Sequence, residues 1–537
     1  MNMKEFDFII VGAGTAGCTI ANRLTACGTH SVLLLEAGKK DSNFWINIPV
    51  GYLFTINNPK TDWCYVTEEE PGLKNRSIGY ARGKVLGGCS SINAMIYMRG
   101  QAHDYNHWAQ LGNLGWSWNE VLPFFKKSED YQHDQDDYHA KGGELKVQER
   151  RVDWEILDAW RDAAAESGIP KITEFNRGDN FGNAYFQMNQ NKGVRWNARK
   201  AFLDPAKDRK NLTILTEAPV EKLIIERENS EIKCKGVEVK TKSGIESFLA
   251  KKEVILSAGA VASPQILQVS GVGKKETLKK YGIEVFSDLH GVGGNLQDHL
   301  QIRTIYKVRN TVTLNEKVNS FFGLAKMGLE YLFLKRGPLT MPPSQLGAFA
   351  STSAEHSSPN IEWHVQPLSL DKFGEPLHKF NAITPAVCNL RPTSRGEISI
   401  KSPKADVHPT IKLNYLSTTE DQEVAVEGLK FTRRIMKAKA LKRFEPEEWL
   451  PGKLAETDSE LLDAARELGT TIFHPVGTCK MGSDSEAVVD DRLRVRGLPS
   501  IRVIDASIMP TITSGNTNAP TVMIAEKGAQ FILDHYR

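Results

Sequence analysis

The chain of 537 residues is long enough for about two to four domains and a substantial core. Its 68 basic and 65 acidic residues nearly balance, and the formal charge of +3 argues against a nucleic-acid partner. Seven cysteines, odd in number and without a CxxC pair, are typical of reduced intracellular thiols. No apolar run reaches the roughly 18 residues that span a bilayer, and a first strand that begins at Phe6 leaves no room for a signal peptide. We therefore expect a soluble cytoplasmic protein.

The N-terminal segment has the pattern of a strand, a glycine-rich turn, a helix and a second strand that ends in an acid. In the turn, Gly12 permits tight bending, Gly14 lets the backbone approach a pyrophosphate, and Gly17 lets the helix and strand pack closely. The helix that begins near Thr15 would offer free N–H groups to the pyrophosphate, and Glu36 would bind a ribose. The pattern predicts a bound adenine dinucleotide and leaves NAD, NADP and FAD open, although Glu36 disfavours a ribose 2′-phosphate.

The polar stretch Ser128–Lys146 follows and has the composition of a long surface loop. Its histidines and carboxylates suggest a metal site, but they lack the ordered spacing and the apolar frame that such a site needs. These side chains are His133, Asp134, Asp136, Asp137 and His139. The sequence therefore predicts no metal.

Later segments alternate between strand-like and helical patterns. Apolar runs of β character occur at 212–215, 222–225, 236–239 and 253–257. The pattern changes between Thr304 and about Leu450, where helical segments alternate with strand-like pieces such as 361–366 and 396–400. In the tail, a strand ends at Asp505 and an apolar helix begins at Pro520.

These patterns predict an α/β fold with an α+β second domain. A Rossmann-like dinucleotide-binding domain would be assembled from the discontinuous segments 1–155, 200–305 and 466–537. A substrate-binding domain with an antiparallel sheet and helices would comprise 156–199 and 306–465. The sequence gives no indication of the oligomeric state.

Two helical stretches have alternative interpretations. The basic run from Val424 to Phe444 could face an anionic membrane, although such a run is more often a solvated face, so peripheral membrane contact stays open. The stretch from Phe321 to Leu334 is apolar, with Lys326 and Glu330 interspersed, and we expect buried core or a lid over the substrate rather than bilayer insertion.

Five segments carry a resemblance to a known family. GKVLGGCSSINAMIYMRG (83–100) and GAVASPQILQVSGVG (259–273) resemble the two signature segments of the glucose-methanol-choline (GMC) oxidoreductases. NLQDH (295–299), HPVGTCKMG (474–482) and DASIMPTITSGNTNAP (505–520) extend the resemblance along the chain. The likeness is to the bacterial alcohol and choline dehydrogenase branch, and it implies that the dinucleotide is FAD.

The second glycine-rich segment also suits a flavin on physical grounds. Gly87, Gly88 and the small residues after them would let the main chain lie against a flat ring and donate N–H groups to flavin N5 and O4, although a plain glycine turn is the alternative. In the choline oxidases of the family, the residue before the motif's asparagine, here Asn93, is a histidine covalently attached to flavin. Because Ile92 stands at that position, we expect non-covalent FAD.

The resemblance implies further cofactor contacts. Asp505 would approach the ribityl and pyrophosphate region, and Val220 would lie by the adenine. The remaining expected cofactor-binding residues are Ala16, Trp63, Val85, Ala94, Ala506 and Thr517.

Alcohol oxidation needs a base that takes the hydroxyl proton as the hydride leaves carbon, and histidine suits this role. In the family the histidine of HPVGT is that base, which assigns the role to His474. Asn518 matches the family's second catalytic position, where its amide would hold the developing alkoxide. Because Asn518 precedes Pro520 closely, it could instead cap the helix that follows.

The substrate is predicted less directly. Ile472 and Phe473 precede the base and would line the flavin face. Choline-oxidising relatives resemble this chain but carry an acid in the segment equivalent to 343–349, where Gln345 stands here, which favours an uncharged primary alcohol. Phe349, Trp363 and neighbouring His364 would shape the pocket, with ordinary packing as the alternative.

The sequence thus predicts an FAD-dependent alcohol dehydrogenase that passes electrons to a quinone or another acceptor. An oxidase that reduces O₂ to hydrogen peroxide and a choline dehydrogenase are the nearest alternatives. An FAD-containing lyase, and a protein in which FAD is only structural, are the more distant ones.

Overall fold

The structure, a computed structural model, describes residues 4–228, 231–372 and 375–537. The first three residues of the predicted dinucleotide-binding domain therefore lie outside the described residues, as do 229–230 and 373–374.

A mixed sheet contains the N-terminal strand at its centre. The strand Lys4–Val11 pairs in parallel with Val32–Leu35 on one side and with Gly244–Leu256 on the other. Both of the N-terminal strands carry unbroken apolar runs that are buried, as expected for parallel strands covered on both faces. The eight described strands of this sheet are Lys4–Val11, Val32–Leu35, Leu212–Leu215, Val220–Glu228, Glu231–Thr241, Gly244–Leu256, Arg494–Val495 and Leu498–Val503.

A second sheet is antiparallel in every described pair. Its eight described strands are Gly182–Tyr185, Leu300–Arg303, Ile305–Lys307, Leu346–Ala350, Ile361–Gln366, Ala382–Asn389, Glu447–Leu450 and Gly469–Thr471. Two of them, Leu300–Arg303 and Gly469–Thr471, fall within segments that the sequence assigned to the dinucleotide-binding domain, so the sheet crosses the predicted boundaries at 305 and 466. The predicted combination of an α/β unit and a second sheet-containing unit is confirmed.

Helices cover both sheets. Those described with six or more residues are Thr15–Thr25, Ala102–Gln110, Trp118–Ser128, Glu155–Glu166, Gly259–Val269, Lys275–Lys280, Phe321–Leu334, Thr419–Met436, Asp458–Leu468 and Asn518–His535, and a 3-10 helix spans Lys439–Phe444. Shorter α-helices are Phe44–Asn47, Tyr52–Thr55 and Leu314–Val318. Short 3-10 segments are Pro49–Gly51, Pro71–Leu73, Gly88–Ser91, Pro338–Thr340 and Ala506–Ile508, with a π-type turn at Arg199–Leu203. Two-stranded pairs join Tyr65–Val66 to Gly79–Tyr80, Glu129–Tyr131 to Leu145–Val147, Gln190–Asn191 to Val194–Arg195, Val272–Gly273 to Ser287–Asp288, and Glu397–Ser399 to Thr410–Lys412.

The two sheets have separate apolar cores. One core packs the mixed sheet against the helices Thr15–Thr25 and Asn518–His535, and the other packs the antiparallel sheet against Glu155–Glu166 and Thr419–Met436. Trp160 in the second core is fully buried, so its truncation to alanine is expected to cost about 3–5 kcal/mol of stability.

The stretch 128–146 is only partly a surface loop, which corrects the sequence prediction. Its ends form paired strands, and Glu129 and His139 are fully buried. A carboxylate oxygen of Glu129 lies 2.8 Å from Arg99 Nη2 and 3.1 Å from His139 Nδ1, so the burial of these groups is compensated by mutual pairing. Among the described residues, no group of three or more His, Cys, Asp or Glu side chains is arranged to hold a metal.

The two ambiguous helical stretches differ in environment. Within 424–444, Lys430, Arg433 and Arg443 each pair with a nearby carboxylate, which agrees with a solvated face. The helix Phe321–Leu334 has the expected bounds, but most of its apolar side chains are exposed, so the prediction of buried core is wrong. In the part of the chain that the structure describes, no helix has the length and hydropathy to cross a bilayer.

Candidate active site

A cavity of about 560 Å³ lies between the two sheets and is lined by segments from the whole chain. One end is formed by the N-terminal glycine turn, Glu36 and Val220. The other end includes His364 from the antiparallel sheet, His474 and Asn516. Its volume falls within the usual range for cofactor and ligand sites.

The N-terminal turn leaves no room for a side chain at two of its three glycines. Gly12 has a φ of +99°, and a Cβ there would lie 2.6 Å from the carbonyl oxygen of Ser257. A Cβ on Gly17 would lie 1.9 Å from the carbonyl oxygen of Gly12. Gly17 does not line the cavity, so its structural role is the close packing of helix against strand.

The two glycine-rich segments meet at the cavity. A Cβ on Gly88, where φ is +52°, would lie 2.7 Å from Cα of Gly14. This contact, between residues far apart in sequence, brings two backbone segments together along the cavity wall.

Glu36 is buried at the end of the second strand. Its carboxylate accepts hydrogen bonds from the backbone N–H groups of Ala13 and Gly38, at 3.0 and 2.8 Å. Burial raises the pKa of Glu36 to about 7, although both hydrogen bonds oppose this change. Each carboxylate oxygen accepts one backbone hydrogen bond and keeps a second acceptor site. Glu36 lines the cavity, so it can accept further hydrogen bonds from a ligand, such as those of ribose hydroxyls.

The lining fits a dinucleotide. The helix Thr15–Thr25 begins at the cavity without a side-chain cap, which leaves its first N–H groups available to an anion. Asp505 is held in place because its oxygens accept hydrogen bonds from Gly259 N–H, the Ser263 hydroxyl and Ser507 N–H. Burial raises the pKa of Asp505.

Most residues expected to contact the cofactor line this cavity: Gly12, Gly14, Thr15, Ala16, Glu36, Trp63, Gly88, Asn93, Ala94, Val220, Asp505, Ala506 and Thr517. Gly17 and Val85 do not. Val85 forms a β-bridge with Lys39 and is buried, while its neighbour Lys84 lines the cavity. Ile92 is also in the wall, and its aliphatic side chain offers no atom for a covalent bond to a flavin.

The antiparallel sheet positions His474. Leu300 pairs with Thr471 in adjacent strands, so the residues just outside this pair, His299 and Ile472, share a backbone hydrogen bond of 3.1 Å. Between Ile472 and His474 the chain turns at Phe473, which has a φ of +67°. This left-handed conformation is costly for a non-glycine residue and is held by a 2.7 Å bond from Phe473 N–H to the Thr471 hydroxyl.

Asp298 fixes the backbone around both histidines. The carboxylate is buried and accepts five hydrogen bonds of 2.5 to 3.0 Å. The donors are the hydroxyls of Tyr80, Tyr415 and Thr471 and the backbone N–H groups of His299 and His474. Its acceptor capacity is fully used, so it orients the site rather than taking part in proton transfer.

The hydrogen bonds assign the tautomers of the two imidazoles. His299 Nε2 lies 3.1 Å from the carbonyl oxygen of Leu390, which only accepts, so Nε2 carries the proton. In neutral His299, Nδ1 is then an acceptor, and it lies 3.1 Å from His474 Nδ1, which must donate. His474 Nε2 is therefore the unprotonated nitrogen, and the Asn516 amide Nδ2 lies 3.1 Å from it.

His474 is held neutral. Burial, followed by the charges of His299, His364 and Arg82, lowers its pKa well below the ordinary value of 6.5. The unprotonated form that general-base catalysis requires is thus the one present at neutral pH.

Asn516, rather than Asn518, lies against His474, which corrects the sequence prediction. Asn518 is directed to the glycine turn, where its Oδ1 accepts a 2.8 Å hydrogen bond from the Thr15 hydroxyl. Its side chain also makes no cap, because the helix Asn518–His535 starts at Asn518 and has no side-chain cap bond. Asn516 Oδ1 is buried and has no hydrogen-bond partner among the described residues, so it is available to a ligand.

The expected substrate residues divide into two groups. Ile472 and Phe473 line the cavity, whereas Gln345, Phe349 and Trp363 do not. Successive side chains of a strand point to opposite faces. Trp363 therefore faces a helix, where its Nε1 donates to the Thr432 hydroxyl at 2.8 Å, while the next residue in the chain lines the cavity.

Phe349 and Gln345 also belong to the packing of the second sheet. Phe349 is fully buried against Phe175, with ring centroids 4.8 Å apart. Gln345 Nε2 donates to the carbonyl oxygen of Val152 at 3.1 Å, and Ser344 lines the cavity in its place. Because Gln345 does not line the cavity, its lack of charge gives no information about the charge of the substrate.

His364 brings a further polar group to the cavity. Its Nε2 lies 3.0 Å from a carboxylate oxygen of the fully buried Glu362, in an orientation that makes no hydrogen bond. Its ring stacks on Phe186 with centroids 5.2 Å apart. The sequence analysis assigned no role to Asp298, His299, Glu362 or Asn516. The first two lie in the quoted NLQDH segment and Asn516 in SGNTNAP, so the motifs contained the signal but not the side-chain directions.

The family description "GMC oxidoreductase" matches residues 6–301 and 392–525. An "Alcohol dehydrogenase [acceptor]" of Pseudomonas putida is 41% identical over 532 residues, which cover 98% of this chain and 96% of the relative. An "Oxygen-dependent choline dehydrogenase" of Photobacterium profundum is 38% identical, over 98% and 93% of the two chains. The crystal structure of a pyridoxine 4-oxidase from Mesorbium loti is 31% identical, with a TM-score of 0.88 over 99% of both chains.

Proposed function

The chain belongs to the GMC oxidoreductases, which are FAD-dependent flavoproteins, and we propose that it oxidises an uncharged primary alcohol to the aldehyde with His474 as the general base. The observation that carries this proposal is the ordered pair of imidazoles at one end of the cavity. It leaves His474 Nε2 neutral, buried and beside an amide that also faces the cavity.

The residues of the chain fit non-covalent FAD. The glycine turn, the uncapped start of the helix at Thr15, and Glu36 would hold the adenosine and pyrophosphate part, and Gly88 and Asn93 would lie along the flavin. FAD, when bound, supplies the hydride acceptor for the carbon that bears the hydroxyl.

Side chains of the protein accept the hydroxyl proton of the alcohol and stabilise the charge on its oxygen. His474 Nε2 takes the hydroxyl proton, and His299 Nδ1, which accepts from His474 Nδ1–H, stabilises the imidazolium that forms. The substrate hydroxyl would replace the Asn516 amide as the donor to His474 Nε2, and that amide would then donate to the substrate oxygen as negative charge develops there. Both imidazoles keep their orientation because Asp298 binds their backbone N–H groups.

The charges around His474 favour a neutral substrate over choline. The acidic residues that line the described cavity are Glu36, Glu221, Asp406 and Asp505. Glu36 and Asp505 bind backbone near the glycine turn, and Asp406 pairs with Lys240 on the side of Val220. Among the groups that lower the pKa of His474, Arg82 is the permanent cation, and its charge opposes a quaternary ammonium.

We propose a quinone or another acceptor for the electrons; the relative named alcohol dehydrogenase [acceptor] supports a separate acceptor without specifying which one. An oxidase is the second candidate, since the pyridoxine 4-oxidase structure shares the fold.

One experiment tests the activity. The FAD-bound protein is mixed anaerobically with 1-butanol, 1-octanol, benzyl alcohol or choline, and the loss of oxidised flavin absorbance is followed. We expect bleaching by neutral alcohols and little by choline. Bleaching by choline alone would contradict the proposed substrate class, and no bleaching at all would contradict the redox function. Peroxide formed per alcohol consumed in air, compared with reduction of a soluble quinone, then distinguishes oxidase from dehydrogenase.

A further inference from the structure

The helix Phe321–Leu334 exposes its apolar face. Phe321, Phe322 and Phe333 are 82%, 84% and 77% exposed, and Leu324, Leu329, Leu332 and Leu334 are each about half exposed or more. At about 100° per residue, Phe321, Leu329 and Leu332 share one face. The buried side chains are Met327 and Tyr331, on another face of the helix. A helix on a soluble protein normally shows the opposite arrangement.

The exposed surface extends beyond this helix. Tyr331 packs into a small cluster with Ile48, Val50 and Tyr52. The same cluster supports Trp45, which stacks on Phe54 at a centroid distance of 4.2 Å. Phe54 and nearby Phe44 are 49% and 68% exposed. A continuous group of large exposed apolar side chains on a protein surface marks an interaction site.

Cations surround these apolar side chains. Lys326 lies on the helix, Lys335 and Arg336 follow its end, and Arg151 Nε donates to the carbonyl oxygen of Lys335 at 2.8 Å. Among the described residues, no carboxylate lies within ion-pair distance of Lys326, Lys335 or Arg336, and Lys335 Nζ lies 4.4 Å from the ring centroid of Tyr331. The nearest acid on the helix is Glu330. Exposed aromatic and leucine side chains next to cations that have no carboxylate partner are typical of interfacial binding to anionic lipid.

We propose that this surface, formed by the helix Phe321–Leu334 with Phe44 and Phe54, docks the protein on an anionic lipid bilayer. A second copy of the chain fits less well, because a two-fold contact would bring the Lys326, Lys335 and Arg336 rims against each other. The basic run 424–444 is the weaker candidate, because none of the exposed large apolar side chains of the described residues lies within it.

Docking would place the cavity close to the lipid. Tyr52 and Ile56 line the cavity and also belong to the cluster that supports Tyr331. The side chains of the cluster around Tyr331 thus form part of the cavity wall, and this single layer separates the helix from the cavity. In so far as the proposed function holds, an apolar alcohol or a quinone dissolved in the bilayer would be concentrated beside the site.

The test uses the FAD-bound protein and sedimentation with vesicles of phosphatidylcholine containing about one-third phosphatidylglycerol. The variant is Phe321→Ser/Phe322→Ser/Phe333→Ser, and the matched control is Leu114→Ser/Leu454→Ser, which alters side chains 75% and 93% exposed elsewhere. We expect the triple variant to lower the partition coefficient at least about tenfold and the control to leave it unchanged. A second variant, Lys326→Glu/Arg336→Glu, should weaken binding to anionic vesicles and flatten its salt dependence.

Retained flavin absorbance and an unchanged melting temperature would show that the variants are folded, independently of alcohol oxidation. Equal vesicle binding by the wild type and the triple variant would overturn the proposal, as would no binding by the wild type. Sedimentation velocity without lipid measures whether the protein self-associates. A wild-type dimer that the triple variant converts to monomer, without vesicle binding, would assign the surface to a second copy instead.

Discussion

The two asparagines that precede the C-terminal helix are expected to have different effects on catalysis. Asn516 Nδ2 lies 3.1 Å from His474 Nε2, whereas Asn518 bonds the Thr15 hydroxyl in the glycine turn. In the proposed mechanism, Asn516→Ala removes a donor to an oxygen that becomes charged during the reaction, whereas Asn518→Ala removes neutral hydrogen bonds on the cofactor side. The pair is a matched comparison, because the substitutions are chemically identical and two residues apart.

The magnitudes follow from the type of hydrogen bond. A donor to a developing alkoxide contributes about 2–4 kcal/mol to the transition state, so Asn516→Ala should slow flavin reduction by roughly 30- to 1,000-fold. The 2.8 Å bond from Thr15 to Asn518 is a neutral hydrogen bond worth about 1 kcal/mol. Asn518→Ala should therefore slow reduction by less than about tenfold and chiefly lower FAD retention or the melting temperature.

The assay is anaerobic stopped-flow reduction of the bound flavin at saturating alcohol, with added FAD to keep both variants loaded. Released flavin and the melting temperature are measured in parallel. If Asn518→Ala slowed reduction as much as Asn516→Ala did, the placement of Asn516 beside the base would not describe the reacting enzyme, and the assignment of its role would be refuted.

Three further results are expected. Because the pKa of His474 is lowered well below 6.5, kcat/KM should be level above about pH 6.5 and fall only at lower pH, and a midpoint above pH 7 would contradict a neutral base. Because the pKa of His474 is lower in the folded protein than in the unfolded chain, the unfolded chain binds a proton there more tightly. The free energy of unfolding should therefore decrease as the pH falls below about 6.5. His299→Phe should lower kcat about 10²-fold with FAD retained, and should shift the pH profile, because His474 Nδ1–H loses its acceptor; an unshifted profile would argue for a purely structural role. Gly88→Ala should reduce FAD retention and stability by about 1–3 kcal/mol, since its Cβ would lie 2.7 Å from Gly14 Cα, whereas Gly328→Ala, with nothing within 4 Å, serves as the control in calorimetry and flavin release.

The organisation of the site explains why remote motifs act together. The Leu300–Thr471 register brings the segment of His299 next to that of His474, and Asp298 binds the backbone of both. A one-residue change in that register would reverse the side-chain directions of the strands. The antiparallel sheet therefore orients His474, while the mixed sheet forms the end of the cavity that contains the glycine turn.

The sequence by itself determined the features that depend on local backbone geometry. Gly12, Gly14 and Gly17 predicted the dinucleotide unit, and the structure leaves no room for a side chain at Gly12 or Gly17. The strand and helix patterns around them, and the resemblance of the later motifs, were sufficient for the fold class, the family and FAD.

Only the tertiary structure decided which side chains meet. Asn516 and Asn518 are indistinguishable by composition, and the direction of each depends on how the C-terminal helix packs against the glycine turn. Trp363 was expected in the pocket and packs on a helix instead, because the pleat of its strand alternates sides. The apolar helix at 321–334 was expected to be buried core or a lid over the substrate, and most of its apolar side chains are exposed. Apolar content indicates what a helix can contact but not whether the fold covers it.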